Sequence, residues 1–80
     1  MPTILRVRGF EIAVRTHDHG PPHVHVRHGR DEVVINLGIG DESPYVREIR
    51  GMSRQDIRRA MDIVTQNSDK LVLEWSRIHG

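Results

Sequence analysis

Five of the six histidines lie in one run, His17-Asp18-His19-Gly20-Pro21-Pro22-His23-Val24-His25-Val26-Arg27-His28. Imidazole titrates nearest neutrality and is the commonest metal ligand, so this density points to proton transfer, metal binding or recognition of an anion. His23 and His25 stand two residues apart. On a strand they project to the same side, about 6.5–7 Å apart by strand rise, and can converge on one divalent metal such as zinc. Asp18 or His19 would supply a third ligand. Two histidines alone fall short of the four ligands of a closed structural zinc site, and the chain has no cysteine. For Asp18 and His19 there is also a purely architectural reading, with an Asx-type turn at the aspartate and a histidine bonded to backbone.

Asp18, His19, His23 and His25 are equally the candidates for catalysis. Two imidazoles would act as acid, base or ligands in a phosphodiester- or nucleotide-directed reaction, while Arg15 or Arg27 neutralises phosphate. No nucleophile is apparent. Arg6, Arg15 and Arg27 are the candidates for phosphate or nucleic-acid binding, because guanidinium offers paired planar donors. A second basic group, Arg47, Arg50, Arg54, Arg58 and Arg59, is diluted by Glu48, Asp56 and Asp62 and reads as an ordinary solvated surface.

The elements that must hold these residues follow from periodicity. Leu5 and Val7 alternate with Arg6 and Arg8, Gly9 turns the chain, and Phe10, Ile12 and Val14 alternate in a second strand. Asp18 to Pro22 forms a stiff loop, since proline lacks a backbone donor and restricts the residue before it. A third strand puts Val24 and Val26 on one face and His23, His25 and Arg27 on the other. Val33, Ile35 and Leu37 mark a fourth. Residues 38–51, with three glycines and Pro44, read as a loop containing one short extended piece, Tyr45 to Ile49.

Ser53 caps a helix carrying Ile57, Ala60, Met61 and Val64, with Asp56 in the place of the capping-box acid. Asn67-Ser68-Asp69 begins a second, carrying Leu71, Val72, Trp75 and Ile78. Trp75 reads as a core anchor and His79 as a frayed end. The expected fold is α+β: a small, mainly antiparallel sheet of about four strands, followed by two C-terminal helices packed on one face. The other face is expected to be open, with Arg6, Arg8, Arg15, His23, His25 and Arg27 exposed on it.

Eighty residues suit one domain, 1–80. With 36% hydrophobic residues the core is thin, and at this size about 3–5 kcal/mol is what such a core often supplies. Without disulfides, a homo-oligomer such as a dimer, a partner protein or a metal would add the rest. No apolar run approaches the length of a membrane span and no signal peptide is evident, so a soluble, cytoplasmic protein is expected. A formal charge of +1 does not by itself imply nucleic-acid binding.

The His-Val-His-Val run resembles the strand of the histidine-triad nucleotide hydrolases, but Arg27 stands where their third histidine should follow. A fuller resemblance rests on Met1-Pro2-Thr3-Ile4, the early Gly9, the Asp18-His19-x-Pro21-Pro22-His23-Val24-His25-Val26 run and the helical tail with Trp75. These resemble a small prokaryotic family, number 4160 among the domains of unknown function. The resemblance implies that Asp18, His19, Pro22, His23 and His25 are motif positions, and it implies no established activity. Genes of that family commonly neighbour another small uncharacterised gene, as in toxin–antitoxin modules. The resemblance therefore implies an interaction component of a two-gene module, beside the enzyme reading and that of a non-catalytic nucleic-acid-binding regulator.

Overall fold

The computed structural model describes residues 3–17 and 19–79. Strands β1 (Thr3–Val7), β2 (Phe10–Ala13), β3 (His23–His28), β4 (Asp31–Asn36) and β5 (Tyr45–Arg50) precede helices α1 (Arg54–Gln66) and α2 (Ser68–His79). Each strand pairs antiparallel with its chain neighbour, in the order β1-β2-β3-β4-β5. The α+β class holds. The strand count is five, because the segment expected as a loop with a short extended piece forms a full edge strand.

Local chemistry explains the turns. Arg8 and Gly9 both take positive φ, 52° and 83°, and Val7 pairs with Phe10, so the first hairpin closes through a two-residue type I′ loop. β2 ends at Ala13, although Val14 is fully buried beyond it. The peptide between Gly20 and Pro21 is cis. Leu37 then donates its N–H to the Pro22 carbonyl at 2.9 Å, tying the loop to the end of β4.

Pairing register sorts the side chains into rows. Ile12, Val26, Val33 and Ile49 form one row, and Val24, Ile35 and Val46 another. These share the face that α1 and α2 cover, where Ile12, Val14, Val24, Val26, Val33, Ile35, Ala60, Val64 and Leu71 are fully buried. Each such aliphatic side chain taken from water contributes about 1.5–3 kcal/mol. Leu5, Val7, Ile57, Met61, Val72 and Ile78 are partly buried against this core, while Met52 and Ile63 join it fully.

Ser53 Oγ accepts the Asp56 N–H at 3.2 Å, as an N-cap should. The Asp56 carboxylate instead meets Arg59 and lies 3.5 Å from His28 Nδ1, so only half of a capping box forms. Asn67 alone separates the two helices. Its side-chain amide donates to the Ile63 carbonyl at 2.8 Å, and its own carbonyl accepts the Leu71 N–H at 3.0 Å. Among the described residues, no helix is long and apolar enough to cross a membrane.

Candidate functional site

The opposite face carries two polar zones. Register sets Arg6 opposite Glu11, Glu11 opposite Arg27 and Arg27 opposite Glu32, a row of alternating charge across four strands. Opposite charges placed this way stabilise strand pairing, which accounts for Arg6 and Arg27 without any ligand. The next rows are Ala13, His25, Val34 and Glu48, then His23, Asn36 and Tyr45. Small Ala13 stands directly beside the His25 imidazole.

A pocket of about 330 Å³ opens over these rows, lined by Arg15, His17, His19, Gly20, His23, His25, Val34, Arg47, Glu48 and Arg50. Three of the four expected cluster residues, His19, His23 and His25, therefore share one concavity. Asp18 lies outside the described residues. Of the expected phosphate-binding arginines, Arg15 lines this pocket; Arg6 borders a separate hollow with Thr3, Ile4 and Leu5. Arg27 is exposed and lines neither.

His23 and His25 were expected on an open face, yet each is only 4% exposed. The reason is the polar lid around them. Glu32, 7% exposed, sends Oε1 to Arg15 Nη2 at 3.0 Å and Oε2 to Arg50 Nη1 at 3.1 Å. The same Oε2 lies 3.3 Å from His25 Nδ1. Arg50 Nε also donates to Glu48, and that hydrogen bond, with the charges of Glu48 and Glu32, raises the Arg50 pKa above its ordinary value. The guanidinium stays charged.

His23 Nδ1 lies 2.9 Å from the Pro21 carbonyl and 3.2 Å from Arg47 Nη1. One ring nitrogen cannot donate to a carbonyl and accept from a guanidinium together. The tautomer decides which contact is the hydrogen bond: Nδ1–H donates to the Pro21 carbonyl, whereas an Nδ1 lone pair accepts from Arg47. At His25, the facing Glu32 carboxylate favours a hydrogen on Nδ1. A ring that donates from Nδ1 carries its other ring nitrogen, Nε2, as the atom through which a proton or a ligand would be exchanged.

Trp75 supports this pair from the core, its ring centroid 5.1 Å from that of His23, which is in turn 5.3 Å from His25. His79, expected to be frayed, is helical and packs its ring 4.0 Å from Trp75. Among the described residues, no group of three or more His, Asp or Glu side chains is placed to hold a metal.

A family model described as "Domain of unknown function (DUF4160)" matches residues 9–76. The chain belongs to this family. The DUF4160 match runs from the start of β2 into α2 and so takes in every residue lining the pocket. No curated protein and no solved structure matches the chain.

Arg47 and Arg50, expected on an ordinary solvated surface, line the pocket instead, and His17, Glu32 and Glu48 join the site without having been candidates for it. A signal for Glu32 was present. It alternates with Val33 and Ile35 and so must share the face of His25 once β3 and β4 pair.

Proposed function

We propose that this DUF4160 domain binds a phosphate-bearing ligand in the pocket and exchanges protons with it through His23 and His25, a phosphodiester- or nucleotide-directed activity. The observation carrying this reading is that both imidazoles are anchored at Nδ1, by a carbonyl and a carboxylate, in a pocket that Arg15, Arg47 and Arg50 also line. A neutral ring takes a proton from an attacking water or hydroxyl. A protonated ring returns one to the leaving oxygen. The arginines offset the charge that develops on phosphorus-bound oxygens.

The non-catalytic nucleic-acid reading draws on Arg6 and Arg27, which stand opposite carboxylates instead of in the pocket. The interaction-module reading asks for an uncovered surface, which β5 offers. Calorimetric titration with inorganic phosphate and nucleoside monophosphates, followed by incubation with short RNA, tests the proposal. Binding is expected to weaken about tenfold or more in Arg47→Ala, since a charge-assisted hydrogen bond is worth ~1.5–3 kcal/mol. Product formation should vanish in the His23→Ala/His25→Ala double variant. Turnover that survives the double variant overturns the acid–base roles, and wild type that binds none of these ligands overturns the whole reading.

A further inference from the structure

β5 is an edge strand, and all six of its residues are exposed. Its register contains an irregularity: Val34 pairs with Glu48 while Ile35 pairs with Val46, leaving Arg47 as the extra residue of a bulge. The bulge changes which side chains share a face. Val46 and Ile49, three apart, both lie on the helix face opposite Ile35 and Val33, yet they remain 36% and 53% exposed. Tyr45, Arg47, Glu48 and Arg50 lie on the pocket face, as the Tyr45 hydroxyl accepting from Asn36 and the pocket-lining positions of the other three require.

We infer that β5 pairs with β5 of a second copy, antiparallel about a two-fold axis normal to the sheet. Such an axis keeps each face on its own side, so paired residues must come from the same face. A regular strand could meet that condition only in registers where a residue lies opposite its own copy or an even number of positions away. The bulge creates a different solution, in which residues whose numbers add to 95 pair. Val46 then meets Ile49 of the partner subunit, Arg47 meets the partner's Glu48, and Tyr45 meets the partner's Arg50.

Every pair in this register is chemically complementary: two apolar contacts, two pairs of opposite charge and two guanidiniums against exposed tyrosine rings. Shifting by one residue in either direction sets Val46 or Ile49 opposite a residue of the other face. Charges and bulges on an edge usually prevent pairing. Here they favour the register that pairs all six residues of the strand, and the partner it fits is a second copy of this chain. The joined sheet has ten strands, and the two pockets, each bordered by its own Arg47, Glu48 and Arg50, lie side by side on one surface. The inference stands on the strand itself and is independent of what the pocket binds.

Light scattering coupled to size exclusion tests it, with circular dichroism to confirm folding. Wild type is expected to run as a dimer, and Ile49→Lys, at an exposed position, as a folded monomer. Arg47→Glu and Glu48→Arg each set like charges together across the axis and should be monomeric alone. Mixed in equal amounts, these two variants restore every charge pair and should associate. A folded wild type that stays monomeric at hundreds of micromolar overturns the inference. So does a dimer that persists in Ile49→Lys, a pair of charge variants that fail to associate, or a wild type that dimerises only with a different small protein present.

Discussion

On the helix face, Val24, Val26, Val33 and Ile35 are fully buried beneath α1 and α2; one residue along, on the other face, His23, His25, Glu32 and Val34 are nearly as deeply buried. There the lining comes from Arg15, Arg47, Arg50, His17, His19 and Gly20, with Trp75 touching His23 at one end. The two faces reach similar burial by different physics. Apolar burial gains free energy with each group removed from water. A buried carboxylate loses hydration and recovers it only through its partners. The helix face should therefore respond to lost volume and the pocket face to lost pairing.

The largest expected effect is on the helix face. Ile35→Ala removes a side chain with no exposure from the middle of the sheet, where neighbours in two strands cannot collapse freely into the space. A loss of about 2–5 kcal/mol is expected from urea denaturation, with an unchanged slope. A loss under about 1 kcal/mol would mean that the helices repack, and the core would be less fixed than its burial implies.

Glu32→Gln sharpens the other side of the comparison. The variant nearly preserves volume but removes the charge that Arg15, Arg50 and His25 share. Because Arg15 and Arg50 are a third and a half exposed, water recovers part of what they lose, and a cost of about 1–3 kcal/mol is expected. A core position of equal volume change would cost less. The His25 ring also loses its anchor, so its NMR signals should broaden or shift while those of Val24 and Val26 stay in place. Neutral stability together with unchanged His25 signals would show that geometry alone, without the ion pairs, holds this face.

The difference between the faces also explains what could be read from the chain. Alternation in Val24/Val26 and Val33/Ile35 located the core strands, and the Ser53 cap with Ala60 and Val64 located α1, because each signal is local. The pocket's burial was not local. It depends on Arg15, just past β2, and on arginines of β5 reaching toward β3 and β4, and no window containing His23 and His25 includes Arg47 or Arg50. β5 itself was obscured by its bulge: Val46 and Ile49 stand three apart, which breaks the period of two expected of a strand. Pro44 and Gly51 at its ends reinforced a loop reading. An apolar pair spaced by three with charges between, bounded by proline and glycine, is what a bulged edge strand looks like.

Arg27→Ala is expected to have the smallest effect, and it probes whether the pocket is a distinct zone of its face. Arg27 is exposed, lies outside the pocket and stands in register between Glu11 and Glu32. Exposed cross-strand charges contribute a few tenths of a kcal/mol, so stability should change by no more than about 0.5 kcal/mol. Phosphate binding should stay within about twofold of wild type, because a charge outside the pocket acts on the ligand through screened solvent. Arg47→Ala, by contrast, removes a guanidinium that lines the pocket beside His23. If the two variants weaken binding equally, and the affinity of each for RNA falls with salt by a similar slope, then the face works as one continuous cationic surface. The alternating row of Arg6, Glu11, Arg27 and Glu32 would then be part of a nucleic-acid contact, and the sheet would have to be described by its summed field instead of by a pocket with two anchored imidazoles.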